Sequence, residues 1–165
     1  MEAYDVSVVS CPDYEPETAR KALAEAIGAV GGFDWVTPGM KIAVKANLIT
    51  ALKPETAATT HPALLAALVR LLTEKGAEVR VGDSPGGVFS KPYVDRVYAV
   101  CGLEAVKEAG GSLNEDYSIK DCHDPDCKVL KSFTYTGWLD WADVILSFSK
   151  LKVHAMMSMT APKIG

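Results

Sequence analysis

The chain has 165 residues, 48% of them hydrophobic and 23% charged, with a formal net charge of −4. That length fits one domain with a real core, and the acidic balance implies no basic face for nucleic acid. No apolar stretch reaches the ~18 residues that span a bilayer, and the opening "MEAYDVSVVS" lacks the basic region of a secretory signal, so a cytoplasmic protein with no membrane partner is expected.

In chain order, "YDVSVVS" (4–10) predicts a strand and "PETARKALAEAIGAV" (16–30) a helix. In the helix Ala19, Ala22, Leu23, Ala26, Ile27 and Val30 recur at helical spacing, and Pro16 suits the first turn. "KIAVKAN" (41–47) predicts a second strand and "HPALLAALVRLLTEKG" (61–76) a second helix. Pro62 stands at the start of that helix and Gly76 just past its end. "AEVRVGDS" (77–84) predicts a third strand, followed by a glycine-rich turn. Residues 91–109 are expected to be helical, divided at Gly102. An edge strand is expected over 128–135, with loop before it. "GWLDWAD" (137–143) suits a short helix or turn, and "DVILSFS" (143–149) a last buried strand.

Alternating strands and helices of this kind predict parallel strands joined by right-handed crossovers. Strands rich in Val and Ile suit burial on both sides. The expected fold is a three-layer α/β domain over 1–165, a mostly parallel sheet with helices on both faces.

The polar residues cluster after the carboxyl ends of the expected strands: Lys45 and Asn47, then Thr59, Thr60 and His61, then Asp83 and Ser84, then Lys150, Lys152 and His154. In an open parallel sheet those ends share one edge, where ligands bind. Lys45 stands inside an apolar strand, so its ammonium is expected to meet an anion or Asp83, or to snorkel at a sheet edge. "TTHP" (59–62) can cap a helix, form an anion site at its N-terminus, or do both. "GDSPGG" (82–87) is neither a Walker A loop nor a G-x-G-x-x-G fingerprint. Its Asp83 can orient a cation, hold a metal, act as a base or simply cap a turn. Strand alternation would put Lys150, Lys152 and His154 on one side, either lining the crevice or facing solvent.

Of the four cysteines, Cys11, Cys101, Cys122 and Cys127, none forms a Cys-x-x-Cys pair. Cys122, His123 and Cys127 in "DCHDPDCK" suit a metal by residue type, or a polar surface turn with Pro125 at its corner.

Four blocks resemble the DUF362 family of uncharacterised proteins in motif and order: the Lys-x-Asn strand end of "KANLIT", the Thr-Thr-His-Pro helix start, the Gly-Asp-Ser-Pro-Gly turn and the Lys-Leu-Lys-x-His segment of "ADVILSFSKLKVH". The resemblance covers roughly 41–165. It implies an association with iron–sulfur proteins and a ferredoxin-type protein or module as partner. No ferredoxin-type cysteine run is present in this sequence. The family's closing Thr-x-x-x-Lys-Asn-x-x-Gly pattern is represented by Thr160, Lys163 and Gly165, with Ile164 where Asn is usual. Members usually continue beyond this point, so the chain is expected to correspond to the N-terminal portion of a longer protein.

Three functions compete. The first is a small anionic ligand or cofactor bound by Lys45, Asn47, Thr59, Thr60, Ser84, Lys150, Lys152 and Lys163. There His61, Asp83 and His154 would do proton chemistry or orientation. The second is a divalent-metal site built from His61, Asp83 and His154. The third is a non-catalytic module that docks a redox or maturation partner through Trp138 and Trp141, residues whose plainer reading is core packing. The reaction, if any, is left open.

Overall fold

A computed structural model describes residues 6–154 and 158–160, the backbone alone at 154 and 158–160. Four strands form the central sheet: β1 (Lys41–Lys45), β2 (Glu78–Gly82), β3 (Ser112–Leu113) and β6 (Val144–Ser147). Their order is β3-β2-β1-β6 and every pairing is parallel. The parallel α/β expectation is met. Two antiparallel ribbons stand apart from this sheet: β4 (Ile119–His123) with β5 (Ser132–Thr136), and β7 (Lys152–His154) with β8 (Ser158–Thr160).

Helix α1 (Pro16–Ala29) packs along α2 (Pro62–Thr73), and α2 packs on the sheet. Alternation sends Ile42, Val44, Val79 and Val81 to one face. There they join Leu65, Leu68, Val69 and Leu72 of α2 in the core. Full burial of one such side chain contributes about 1.5–3 kcal/mol. The opposite face presents Lys41, Arg80 and Gly82. It is covered by the 3₁₀ turn Gly137–Trp141, with the Arg80 guanidinium 4.1 Å from the centre of a Trp141 ring. Trp138 is 1% exposed and lies against Gly82. Helices α3 (Lys91–Val100) and α4 (Glu104–Glu108) complete the core through Val94, Val97 and Val106. Gly102, at φ 75°, separates them as expected, in a conformation costly for any residue with a Cβ.

Three expectations are corrected. Residues 6–10 of the expected first strand form no strand with any of the described residues, and Val6 and Val8 are 75% and 92% exposed; residues 4 and 5 lie outside the described residues. The alternation of Val with Ser is strand-like, but strand formation also needs a partner edge. The stretch before residue 128 was expected as loop, yet 119–123 is the partner of 132–136. The expected edge strand at 128–135 therefore begins later, at Ser132, and borders a hairpin rather than the main sheet.

Candidate functional site

The carboxyl ends of β1 and β2 are neighbours, in register through Lys45 and Gly82. The next residue, Asp83, is 4% exposed and reaches back to β1. Its Oδ1 accepts from Lys45 Nζ at 2.7 Å and from the Ser84 amide at 2.8 Å, and its Oδ2 accepts from the Leu48 amide at 2.7 Å. Lys45 Nζ also donates to the Ala46 carbonyl at 2.9 Å. Lys45 thus meets Asp83, one of the partners open to it. The pair joins two strand ends and the loop after each.

Thr60 makes a second junction. Its Oγ1 accepts from the Asn47 amide at 3.0 Å and donates to the Phe148 carbonyl at 3.1 Å, while its amide donates to the Asn47 carbonyl at 2.9 Å. The Phe148 amide in turn donates to the Lys45 carbonyl at 2.8 Å. The end of β1, the start of α2 and the exit of β6 are therefore fastened together at one edge of the sheet. This brings Lys45, Asn47, Thr59, Thr60, His61, Asp83, Ser84 and the approach to Lys150 to that edge. Two oxygens there, Asn47 Oδ1 and Thr59 Oγ1, are buried without a hydrogen-bond partner among the described residues.

His61 is the N-cap of α2. Its Nδ1 accepts from the Ala63 amide at 3.3 Å, and its carbonyl accepts from the amides of Leu64 and Leu65. Pro62 has no N–H. The first turn of α2 has no amide left over for a ligand, so it offers the positive end of its dipole and the side chains around it. The Tyr14 ring stacks on the imidazole at 3.6 Å between centroids and 8° between planes. Partial burial lowers the His61 pKa below its ordinary value, the nearby Lys150 ammonium lowers it further, and Glu55 opposes both.

Sequence reasoning did not find Tyr14, in the segment before α1. Nor did it find the second tie between the loops: Tyr93 Oη donates to the Gly86 carbonyl at 2.6 Å and lies 3.1 Å from Thr50 Oγ1. Between these anchors Ile49 holds φ 58°, a left-handed conformation that is an outlier for a β-branched residue. The Gly86 amide donates to its carbonyl at 2.6 Å. The dense net of polar residues after β1 and β2 was the available signal for such ties.

Other expected residues lie elsewhere. Lys150 precedes β7 and Lys152 opens it, so they do not continue the strand that ends at Ser147. The His154 side chain and Lys163 lie outside the described residues. Cys127 is exposed in the turn between β4 and β5, where its thiol donates to Asp124 at 3.2 Å. Among the described residues no group of three His, Cys, Asp or Glu side chains is placed to hold a metal ion. Trp138 is core, as one of its two readings had it. Two hollows of about 460 and 570 Å³ lie beside β3, sharing Lys107, Leu113 and Glu115, away from His61 and Lys45. No helix among the described residues is long and apolar enough to cross a membrane.

The profile of DUF362, a domain of unknown function, matches residues 42–162. The chain belongs to the DUF362 family. The match takes in the central sheet except Lys41, together with the polar blocks from Lys45 to Lys152. The chain is also similar to the thylakoid-associated protein sll1697 of Synechocystis sp. (strain ATCC 27184 / PCC 6803 / Kazusa). The two are 28% identical over 94% of this chain and 47% of that protein. This DUF362 chain thus spans about half the length of the curated relative it matches. The relative's name speaks of thylakoids, so it lends no support to a cytoplasmic location. No solved structure matches the chain.

Proposed function

We propose that this DUF362 chain binds a small anion, phosphate-like or carboxylate, at the fastened edge of its sheet. The observation that carries the reading is the junction of Thr60 with Phe148, which sets the capped N-terminus of α2 beside the chain leading to Lys150. A helix N-terminus and an adjacent ammonium favour negative charge together. Among the described residues neither Lys150 nor Lys152 takes part in an ion pair. The Thr59 hydroxyl can rotate to donate to an anion, and exchanging the amide nitrogen and oxygen of Asn47 would bring its NH₂ to the buried position as a second donor. Lys45 and Asp83 support the site from beneath rather than reaching the ligand, because each already neutralises the other. A redox link to iron–sulfur proteins is a further proposal that rests on the family resemblance alone.

The metal reading is less well supported. Both Asp83 oxygens are occupied by donors, one of them an ammonium, and a metal would have to displace them.

Inorganic phosphate and pyrophosphate are suitable probes. Either should raise the thermal midpoint of the chain. Lys150→Ala and Lys152→Ala should each weaken binding about tenfold, the loss of roughly 1.4 kcal/mol, while leaving the ligand-free midpoint unchanged. A wild-type midpoint that ignores both probes, or a double variant that binds as tightly as wild type, would overturn the proposal.

A further inference from the structure

We propose that His61 meets its ligand as a neutral imidazole donating from Nε2, locked in that form by the backbone of α2 and by Tyr14, which is a positioning residue. The proposal rests on the anion-site reading and assigns His61 a narrower role within it.

The two ring nitrogens have different partners. Nδ1 accepts the Ala63 amide, so it carries no proton while the cap is made. A neutral imidazole then has its one proton on Nε2, which makes that atom a donor. Protonating Nδ1 would set two donors against each other and release the cap. It would also place a second positive charge at the helix N-terminus, near Lys150, which Glu55 partly offsets. The Tyr14 ring lies flat against the imidazole and fixes its plane, so the Nε2–H direction is set before a ligand arrives. Tyr14 itself is 44% exposed and sits in the segment leading into α1, so its stack is a contact across the edge and not part of the core.

The chemical consequence is specific. In its resting form His61 cannot take a proton through Nε2, so it is not poised as a base. It polarises or recognises an acceptor oxygen, as a preorganised donor does for an oxyanion. The ligand class that fits is a fully ionised oxyanion whose oxygens only accept.

The test uses the full chain, ¹⁵N-labelled, and sulfate as a probe that stays ionised across the range. Without ligand, long-range ¹H–¹⁵N spectra at about pH 7 should show His61 neutral with its proton on Nε2. Sulfate affinity should stay within about twofold between roughly pH 7 and 8, because the His61 pKa lies below its ordinary value. Tyr14→Phe keeps the stack and should bind as wild type does. Tyr14→Leu removes it and should weaken sulfate about tenfold. An Nδ1–H tautomer, an imidazolium at neutral pH, affinity falling about tenfold over that range, or unchanged binding by Tyr14→Leu would each overturn the proposal. The wrong tautomer with sulfate still bound would sink the role of His61 and leave the anion site standing. The expected tautomer with no sulfate bound would overturn the anion site itself, and the ligand contact with it.

Discussion

Both oxygens of the Asp83 carboxylate are occupied by the protein: Lys45 Nζ and the Ser84 amide on one, the Leu48 amide on the other. A carboxylate this deeply buried is tolerable only with such partners. The pair therefore works as a clamp between strand ends, and its variants should be read as stability variants. Lys45→Ala leaves a buried charge with two amide donors and should lose about 2–4 kcal/mol. Asp83→Ala strands an ammonium and two amides and should lose more. Urea unfolding at neutral pH measures both. A Lys45→Ala chain as stable as wild type would show that the clamp contributes nothing. For the same reason Lys45 is a poor reporter of ligand binding, and Lys150 and Lys152 are better ones. The sequence made the clamp readable as one option, because an apolar strand containing a lysine needs a counter-charge. It could not rank Asp83 above a ligand, since that ranking depends on the register of β1 against β2.

At the scale of elements, α2 was legible nearly in full. Its leucines recur on one face, Pro62 sits at N1 and His61 caps it. The central strands β1, β2 and β6 were legible too, because each is a short Val/Ile-rich run. The β4–β5 hairpin was not. Its first strand, "IKDCH", has four of five residues exposed, so it carries no apolar alternation to detect. The other face of the sheet depends on a fit that sequence does not display. A Cβ added at Gly82 would lie 2.9 Å from Trp138 Cζ2 and 2.9 Å from Asn114 Cβ. Gly82→Ala should therefore lose about 1–3 kcal/mol by overpacking. Pairing it with Trp138→Phe should recover part of that loss, seen as coupling in a double-mutant cycle. Additive losses would mean that the two residues do not share the space.

For the whole molecule, His61 ties stability to pH. Its folded pKa lies below its unfolded value near 6.5, so the unfolded chain takes up the proton first. Its contribution is complete above about pH 6.5 and is lost as pH falls through that value toward the folded pKa. The lowered carboxylates Glu74, Asp116, Asp124 and Asp140 act further down, in the carboxylate range, and do not confuse this window. The urea midpoint of the wild type should drop between about pH 7.5 and 5.5 by more than that of His61→Asn, which keeps an N-cap acceptor. Equal drops would remove His61 as the titrating group.

The sequence by itself determined the α/β class, the family and the placement of polar blocks after strand ends. These follow from local periodicity and from the rule that parallel strands share a carboxyl edge. Only the tertiary structure decided which groups meet. Lys45 pairs with Asp83 because β1 and β2 are neighbours in register, and Thr60 reaches Phe148 because β6 lies on the other side of β1. The Tyr14–His61 stack joins residues 47 positions apart by number, brought together by the packing of α1 on α2. Contacts of that kind depend on how elements dock, and no local pattern in the chain encodes them.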